Sequence, residues 1–539
     1  MLTDTKHKWW QSTVFYEIYM ASFQDGNGDG IGDFKGLTSR LDYLQDLGVN
    51  GLWITPFYPS PKVDNGYDVA DYFNVDPDFG SLEDFDHFIE KAHARGIRVI
   101  IDVVLNHVST EHAWFREAVS NPESKYRDYF FFQDEPNGWE SFFGGSAWEK
   151  EPDGTQVYYH KFAPEQADLN WQNKAVRDDM LRVLKFWLDR GVDGFRLDVI
   201  NFLSCNGIGE ENLHRDSKGR QIHDHDIDQP GIYDCISEIC DFVRDYSARR
   251  GKESFLVGEV GHEELSKLAP YQRDDLLDVV FNFNLGSMGS FDIGEIHGQL
   301  VAMEDQLVGL PTIFFNSHDM ARSMSRLCHD NAEQAAALAA LTLMAKGVSF
   351  LYFGEEIGMP DYIPQSVSEM QDVQAVNHYQ LALAEGKSIS EAYDKALEEC
   401  RDKSRLYMQW NDDKFSGFSR STPWIGETAP NNLPKVEEQI NDPDSLWHWY
   451  KTLIALRRDN PALNFGNYDI LSLEKGLLTF ARRRQNKIIH IQINFSDQKH
   501  PVNHNPSHEV LASKGLDLGE PDYLLPFGTL ITREVQDVC

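Results

Sequence analysis

Positive charge is scarce in this sequence. Lys and Arg number 50 against 86 Asp and Glu, a net charge of −36. A surface of that sign repels nucleic acid and anionic membranes, so neither is an expected partner. A phosphorylated substrate would need a local basic pocket to overrule it. Cysteine is scarce too. The six cysteines (Cys205, Cys235, Cys240, Cys328, Cys400, Cys539) are scattered and form no CxxC pair. They read as reduced thiols in a cytoplasm. No run of about 18 apolar residues occurs, so no membrane span is expected. The opening "MLTDTKHKWWQS" has no apolar signal core, and secretion is not expected. Internal repeats and low-complexity linkers are absent as well.

What is present is the composition of a globular protein: 539 residues, 41% hydrophobic, 12% aromatic and 25% charged. Short apolar runs alternate with helix-period segments. "LTSRLDYLQDLGV" places Leu37, Leu41, Leu44 and Leu47 at helical spacing. "SLEDFDHFIEKAHARGI" starts with Ser81 and Asp84 as a capping box. Eight strand candidates follow one another: "VFYEIYMASF", "GLWITPF", "RVIIDVVLNH", "GFRLDVI", "FLVGEV", "LLDVVFNF", "PTIFFNS" and "GVSFLYFG". Continuous apolar strands alternating with helices predict an α/β protein whose parallel sheet is buried on both faces. Eight of them predict a (β/α)8 barrel.

The barrel pattern is interrupted. Residues 1–107 read as its first part. Residues 108–175, rich in Trp, Phe, Gly and Pro, read as a small inserted domain. The barrel resumes over 176–465, with a helical insertion at 361–404. From 466 to 539 short alternating strands predict a small antiparallel β domain.

Polar residues gather at the carboxyl ends of the predicted strands, where a barrel keeps its active site. Asp198 ends "GFRLD", Glu259 ends "FLVGE", His107 ends "DVVLNH", and His318 and Asp319 follow "PTIFFNS". Asp68 lies in the loop "DNGYDV". Singly, such a carboxylate often only caps the next helix. Five such sites at one barrel mouth point to catalysis instead. A second pattern is "DGNGDGIGD". Counted from Asp25, oxygen donors fall at every second position (Asp25, Asn27, Asp29), then at Asp33, with the Ile31 carbonyl between. Glycine at the sixth position suits the sharp bend of a calcium loop. A plain exposed turn has the same composition. Gly36 stands where an EF-hand would place its bidentate Glu, so the loop is not a sensor.

The strings "DVVLNH", "GFRLDVIN", "VGEV" and "FFNSHD", in this order, resemble the four signature regions of glycoside hydrolase family 13, the α-amylase superfamily. "QADLNW" resembles its fifth region. "VDNGYDVADY", "FGGSAW", "GEEIGM" and "SRLYMQW" narrow the resemblance to the group holding oligo-1,6-glucosidases, α-glucosidases and trehalose-6-phosphate hydrolases. The resemblance covers nearly the whole chain and weakens after about residue 466. It implies retaining hydrolysis by two carboxyl groups flanking the glycosidic bond. By that resemblance Asp198 is the nucleophile, Glu259 the acid/base and Asp319 the third carboxylate. His107 and His318 are sugar-hydroxyl ligands. Asp68 and Arg405 are a charged pair closing the pocket around the 4-hydroxyl. The "DGNGDGIGD" loop is a structural calcium site. Arg196 lies two residues before Asp198, faces the same side of its strand and can keep that carboxylate ionised.

The chain departs from the group's pattern at Ala21, Ser317, Phe353, Leu406 and Tyr407, which bears on the aglycone preference. Val199, after the nucleophile, resembles members acting on α-1,6 bonds. Ala167 in "QADLNW" resembles trehalose-6-phosphate hydrolases, for which "RDSKGRQ" (Arg215–Gln221) would be the best phosphate-binding candidate. The expectation is a cytoplasmic exo-acting α-glucosidase on short oligosaccharides or disaccharides, with isomalto-oligosaccharides favoured. A trehalose-6-phosphate hydrolase is the alternative, and a transglucosylase or sucrose isomerase a further one. The oligomeric state is not legible.

Overall fold

The computed structural model describes residues 7–534 apart from 153, 218, 263, 503, 504, 506, 520 and 521. In chain order the strands are β1 (Val14–Ile18), β2 (Gly51–Ile54), β3 (Arg98–Val104), β4 (His107–Ser109), β5 (Phe132–Gln133), β6 (Trp148–Lys150), β7 (Val157–Tyr159) and β8 (Gln166–Asp168). Then come β9 (Gly194–Asp198), β10 (Phe255–Gly258), β11 (Val279–Val280), β12 (Thr312–Ile313) and β13 (Val348–Tyr352). The last group is β14 (Asn467–Glu474), β15 (Leu477–Arg484), β16 (Lys487–Asn494), β17 (His500–Pro501), β18 (His508–Asp517) and β19 (Tyr523–Glu534).

Eight strands form one parallel sheet in the order β11-β10-β9-β3-β2-β1-β13-β12. The Thr312 hydroxyl joins its two ends: it donates to the Val280 carbonyl at 2.9 Å and accepts from Asn282 N at 3.1 Å. This is the expected (β/α)8 barrel, and all eight strand candidates take part. Most of their residues are buried, as strands covered on both faces must be.

Alternation along each strand decides what fills the barrel. Phe15, Trp53, Ile100, Phe255, Val257, Phe281 and Phe350 pack into one apolar cluster. Phe15 stacks on Phe255 and Phe350 at 5.0 and 4.9 Å between ring centres. Two residues further along the same strands stand Glu17, Asp102 and Glu259. On β9 the same column reads Gly194, Arg196, Asp198. An aromatic plug therefore carries a charged layer on its carboxyl-end side. Gly194 is required beneath Arg196, because a Cβ there would lie 2.0 Å from the Phe255 carbonyl oxygen.

Between β3 and β9 the chain leaves the barrel. β4 pairs with β8, and β5, β7 and β6 make a three-stranded antiparallel sheet. After β13 come two helices, Val373–Ala384 and Ile389–Glu399. The second has a capping box between Ser388 and Glu391. The last six strands form an antiparallel sheet. Buried Arg482 of β15 ties it to the barrel, donating to the Met344 carbonyl at 3.0 Å.

The capping box predicted at Ser81 and Asp84 forms at helix Leu82–Ala94. The helix predicted around Leu37–Leu47 is instead two, Phe34–Ser39 and Leu41–Leu47. Arg40 breaks it: its guanidinium is drawn to Gln24 Oε1 at 2.7 Å and over the Trp410 ring at 4.0 Å.

Gly194→Ala is expected to cost at least about 3 kcal/mol, because backbone on the neighbouring strand must move. Denaturant unfolding would check this; a stability equal to the parent's would contradict the packing described.

Candidate active site

One guanidinium organises the barrel mouth. Arg196 is buried, and its Nη1 donates to Asp102 Oδ1 at 2.9 Å and to Asp198, while its Nη2 donates to Glu259. Asp102 is fixed further by Trp53 Nε1 at 3.1 Å and the Tyr67 hydroxyl at 3.0 Å, both donating to its Oδ2. Burial pushes Asp198 well above the usual carboxylate range, against the pull of Arg196, and the adjacent Glu259 and Asp102 add repulsion. Asp102 is pushed up by burial to about 6. Three carboxylates sharing one cation would leave a net double negative charge underground. Asp198 and Asp102 therefore resist full ionisation near neutral pH.

Asp319 behaves oppositely. Burial works against its charge, but His318 and the guanidinium groups of Arg401, Arg405 and Arg196 hold its carboxyl well below the usual range. Arg401 Nη1 and Arg405 Nη2 each reach Asp319 Oδ1 at 3.4 Å. Burial pushes His318 down to about 3, so its ring is neutral and the three guanidinium groups carry the effect. Its Nδ1 meets Glu17 Oε1 at 2.5 Å, and its Nε2 meets the Tyr67 hydroxyl at 2.7 Å and Asp319 Oδ2 at 3.1 Å. Burial pushes Glu17 up as well. One proton arrangement satisfies the chain: Glu17 donates to Nδ1, Nε2–H to the Tyr67 oxygen, and the Tyr67 hydroxyl to Asp102. His107 is buried, pushed down to about 3, and meets the Tyr67 carbonyl at 3.1 Å.

These groups open into a cavity of about 610 Å3, counted to its mouth. Asp198, Glu259, Asp319 and His107 make its polar floor, and Phe143, Phe162 and Val199 an apolar wall. The far side is closed by Asp64 and Arg401, paired at 2.7 Å. Arg401 comes from the segment after helix Ile389–Glu399 and is anchored by Asp372, whose Oδ1 accepts from its Nη2 at 2.6 Å. Val199 holds φ 36° and ψ 47°, a left-handed backbone that a β-branched side chain rarely adopts.

Most of the residues read from the sequence meet here: Asp198, Glu259, Asp319, His107, Arg196, His318 and Val199. The expected Asp68–Arg405 pair does not form. Asp68 is fully buried, and its carboxylate accepts from the Ser60 hydroxyl at 2.9 Å and from the amides of Val63 and Asp64 at 2.9 and 3.1 Å. Those bonds fold the loop that presents Asp64. Arg405 lies behind Asp319, with Nε donating to the His318 carbonyl at 3.0 Å. The pair that closes the pocket comes four residues earlier in each motif. Leu406 and Tyr407, expected to bear on the aglycone preference, are buried in the core, with Tyr407 stacked on Phe418 at 5.2 Å. Asp102, Tyr67 and Gln166 were not singled out. Asp102 opens "DVVLNH" and shares the inward period of β3 with Ile100, which is the signal that could have found it.

The loop Asp25–Asp33 bends at Gly28 and Gly30, with φ 88° and 99°. It is tied down behind: Ser419 Oγ donates to Asp25 Oδ2 and Ser421 Oγ to the Gly28 carbonyl, both at 2.6 Å. Asp25, Asp29 and Asp33 make no ion pair among the described residues. Asp25 and Asp33 accept instead from loop amides, at 2.9 Å from Gly30 N and 3.0 Å from Gly26 N. The donor set, all oxygen and acidic without a basic counter-charge, fits a hard cation.

Residues 17–466 match the family model of the α-amylase catalytic domain. The chain belongs to the α-amylase family of glycoside hydrolases. Among its relatives, the trehalose-6-phosphate hydrolase of Escherichia coli K12 is 38% identical over 93% of both chains. The oligo-1,6-glucosidase of Bacillus cereus is 35% identical over 88% of both. Solved structures similar to this α-amylase family member include Bacillus licheniformis trehalose-6-phosphate hydrolase, with TM-score 0.84 and 32% identity over 98% of this chain and 100% of that one. The isomaltulose synthase of Klebsiella sp. LX3 has TM-score 0.88 and 30% identity over 98% and 99%.

Asp64→Asn is expected to lower kcat/KM on a chromogenic aryl α-glucoside by about ten- to hundred-fold, the worth of one charged hydrogen bond. Asp68→Ala should instead lower the melting temperature first, since it strips a buried turn of three bonds. Kinetics and thermal unfolding of the two variants, side by side, would separate the roles; equal kinetic loss with equal unfolding would contradict the assignment.

Proposed function

We propose that the protein is a retaining, exo-acting α-glucosidase that releases terminal glucose from short α-glucosides, with α-1,6 linkages favoured. One observation carries this reading. Asp198 and Glu259 meet on a single guanidinium in a pocket whose far side is closed by Asp64 and Arg401. Retention needs two carboxyl groups about 5–5.5 Å apart. A closed far side accepts a chain end and not a chain interior.

In this reading the ionised Asp198 attacks the anomeric carbon. Glu259 gives its proton to the leaving oxygen as the glycosidic bond breaks. Water then enters, loses a proton to Glu259 and displaces Asp198, restoring both groups with the anomeric configuration kept. Asp319, held anionic, accepts from two ring hydroxyls and stabilises positive charge developing on the sugar. Asp64 and Arg401 grip the hydroxyl at the closed end, so remote binding energy serves the transition state.

The preference for α-1,6 bonds rests on Val199 at the wall and on the oligo-1,6-glucosidase relatives. Cleavage of trehalose-6-phosphate is favoured by the 38% identical relative. Against it, Arg215 of the candidate phosphate loop pairs with Glu140 at 2.5 Å and Arg220 with Asp216 at 2.7 Å. Lys218 lies outside the described residues. Transfer to a sugar in place of water is the further alternative, in line with the isomaltulose synthase neighbour. The free cysteines among the described residues fit a reducing compartment, the cytoplasm. Among the described residues no helix is long and apolar enough to cross a membrane. A Ca2+ ion in the loop of Asp25, Asn27, Asp29, Ile31 and Asp33 would be structural, linking the end of β1 to residues 419–424.

Assayed on isomaltose, maltose, sucrose and trehalose-6-phosphate, the enzyme is expected to cleave isomaltose fastest and give the α-anomer of glucose first. Faster trehalose-6-phosphate cleavage would install the alternative, and an inverted anomer would end the retaining mechanism. Asp198→Ala and Glu259→Gln should each fold normally and lose several orders of magnitude in turnover.

Calcium removal should lower the melting temperature more than it lowers turnover, because a ligand of the folded state adds stability by mass action. Asp29→Ala should copy that loss. A melting temperature indifferent to chelation would remove calcium from the account.

A further inference from the structure

We propose that His490, His508 and Glu534 form a second cation site, for a divalent ion of the zinc type, on the C-terminal sheet. The three residues come from β16, β18 and β19, and one ligand atom of each lies within 4.8 Å of the others. β19 runs between the other two strands. His508 is opposite Glu534 across one ladder, and His490 is opposite Thr532 across the other. Residues 532 and 534 share a face, so all three side chains rise from the same side of the sheet. The imidazoles lean towards each other over β19, 5.1 Å apart between ring centres and 24° from parallel. His490 Nε2 already meets Glu534 Oε1 at 3.0 Å.

The donor chemistry selects the ion. Two imidazoles and one carboxylate suit Zn2+, Ni2+ or Cu2+ and disfavour Mg2+ and Ca2+, which prefer all-oxygen shells. Three protein ligands leave a fourth position for water. The side chains are partly buried, which leaves an entry path while shielding the ligands from full solvation. A net charge of −36 draws cations to the surface. Arg483, on the strand beyond β16, is already neutralised by Asp469 at 2.7 Å.

The ion would do mechanical work. Among the described residues β18 pairs only with β19, and that ladder is irregular at Val510/Ala512 and at Lys514/Leu516. A bound ion would clamp this edge strand across β19 to β16. None of the three residues lines the sugar pocket, so the clamp is independent of turnover.

The test is a Zn2+ titration of chelator-stripped full-length protein, with stoichiometry read by equilibrium dialysis and stability by calorimetry. With the Asp25–Asp33 loop kept filled by excess Ca2+, one Zn2+ per chain and a melting temperature raised by a few further degrees are expected, with Mg2+ unable to substitute. His508→Gln and Glu534→Gln should each weaken Zn2+ binding by more than the ten- to hundred-fold that loss of an outer partner costs, with glucoside hydrolysis unchanged. Dialysis reads binding directly, so a variant with a lowered melting temperature still answers. Zinc binding of parental strength in both variants, or no zinc bound by the parent, would overturn the site.

Discussion

A single buried cation holds the active centre together. Arg196 reaches three carboxylates with one planar group, and no described lysine or second arginine touches Asp102, Asp198 or Glu259. Burying that much like charge would otherwise be prohibitive. Gly194 leaves room for the neighbouring strand two residues below, the aromatic plug packs beneath, and Trp53 and Tyr67 fix Asp102. Asp102 therefore acts as the anchor that aims the guanidinium at the other two. The site needs one proton among several acids, and the shortage of positive charge inside the barrel supplies that condition.

Selectivity is built on different parts of the chain. Arg401 stands after the helices that follow β13, Asp64 in the loop after β2, and Phe143 and Phe162 in the excursion between β3 and β9. These pieces are bound to one another as well as to the barrel. Asn377, on the first inserted helix, donates to the Gly144 carbonyl at 3.2 Å, and Arg401 lies over the Phe143 ring at 5.1 Å. The wall is thus a joint product of two insertions. Changes of aglycone preference within one barrel can arise there without touching Asp198 or Glu259.

The barrel was legible because its signal is repeated: eight apolar runs, each with the period of a doubly buried strand. Asp198, Glu259 and Asp319 were legible for a related reason, since each stands where a strand gives way to a loop. The closing pair was not. "DNGYD" offers Asp64 and Asp68, and "RDKSR" offers Arg401 and Arg405, each pair four residues apart. Which member lines the cavity is settled by Asp68 taking three hydrogen bonds inside its own turn, and by Arg405 turning back to the His318 carbonyl. Those contacts are tertiary and leave no periodic trace. Asp102 escaped notice because a carboxylate in the middle of an apolar strand gives no hint of a partner on β9, six strands later in the sequence and adjacent only in the barrel.

Val199 carries a consequence for anyone adapting this enzyme. A β-branched residue held at φ 36° stores about 1–3 kcal/mol of backbone strain. Glycine or asparagine would relax it. A directed-evolution campaign scored on heat resistance alone would therefore find apparent winners at this position, next to Asp198, and each would reshape the cavity wall. Screens that couple survival to product analysis would keep the strain; screens that do not would trade away selectivity for robustness.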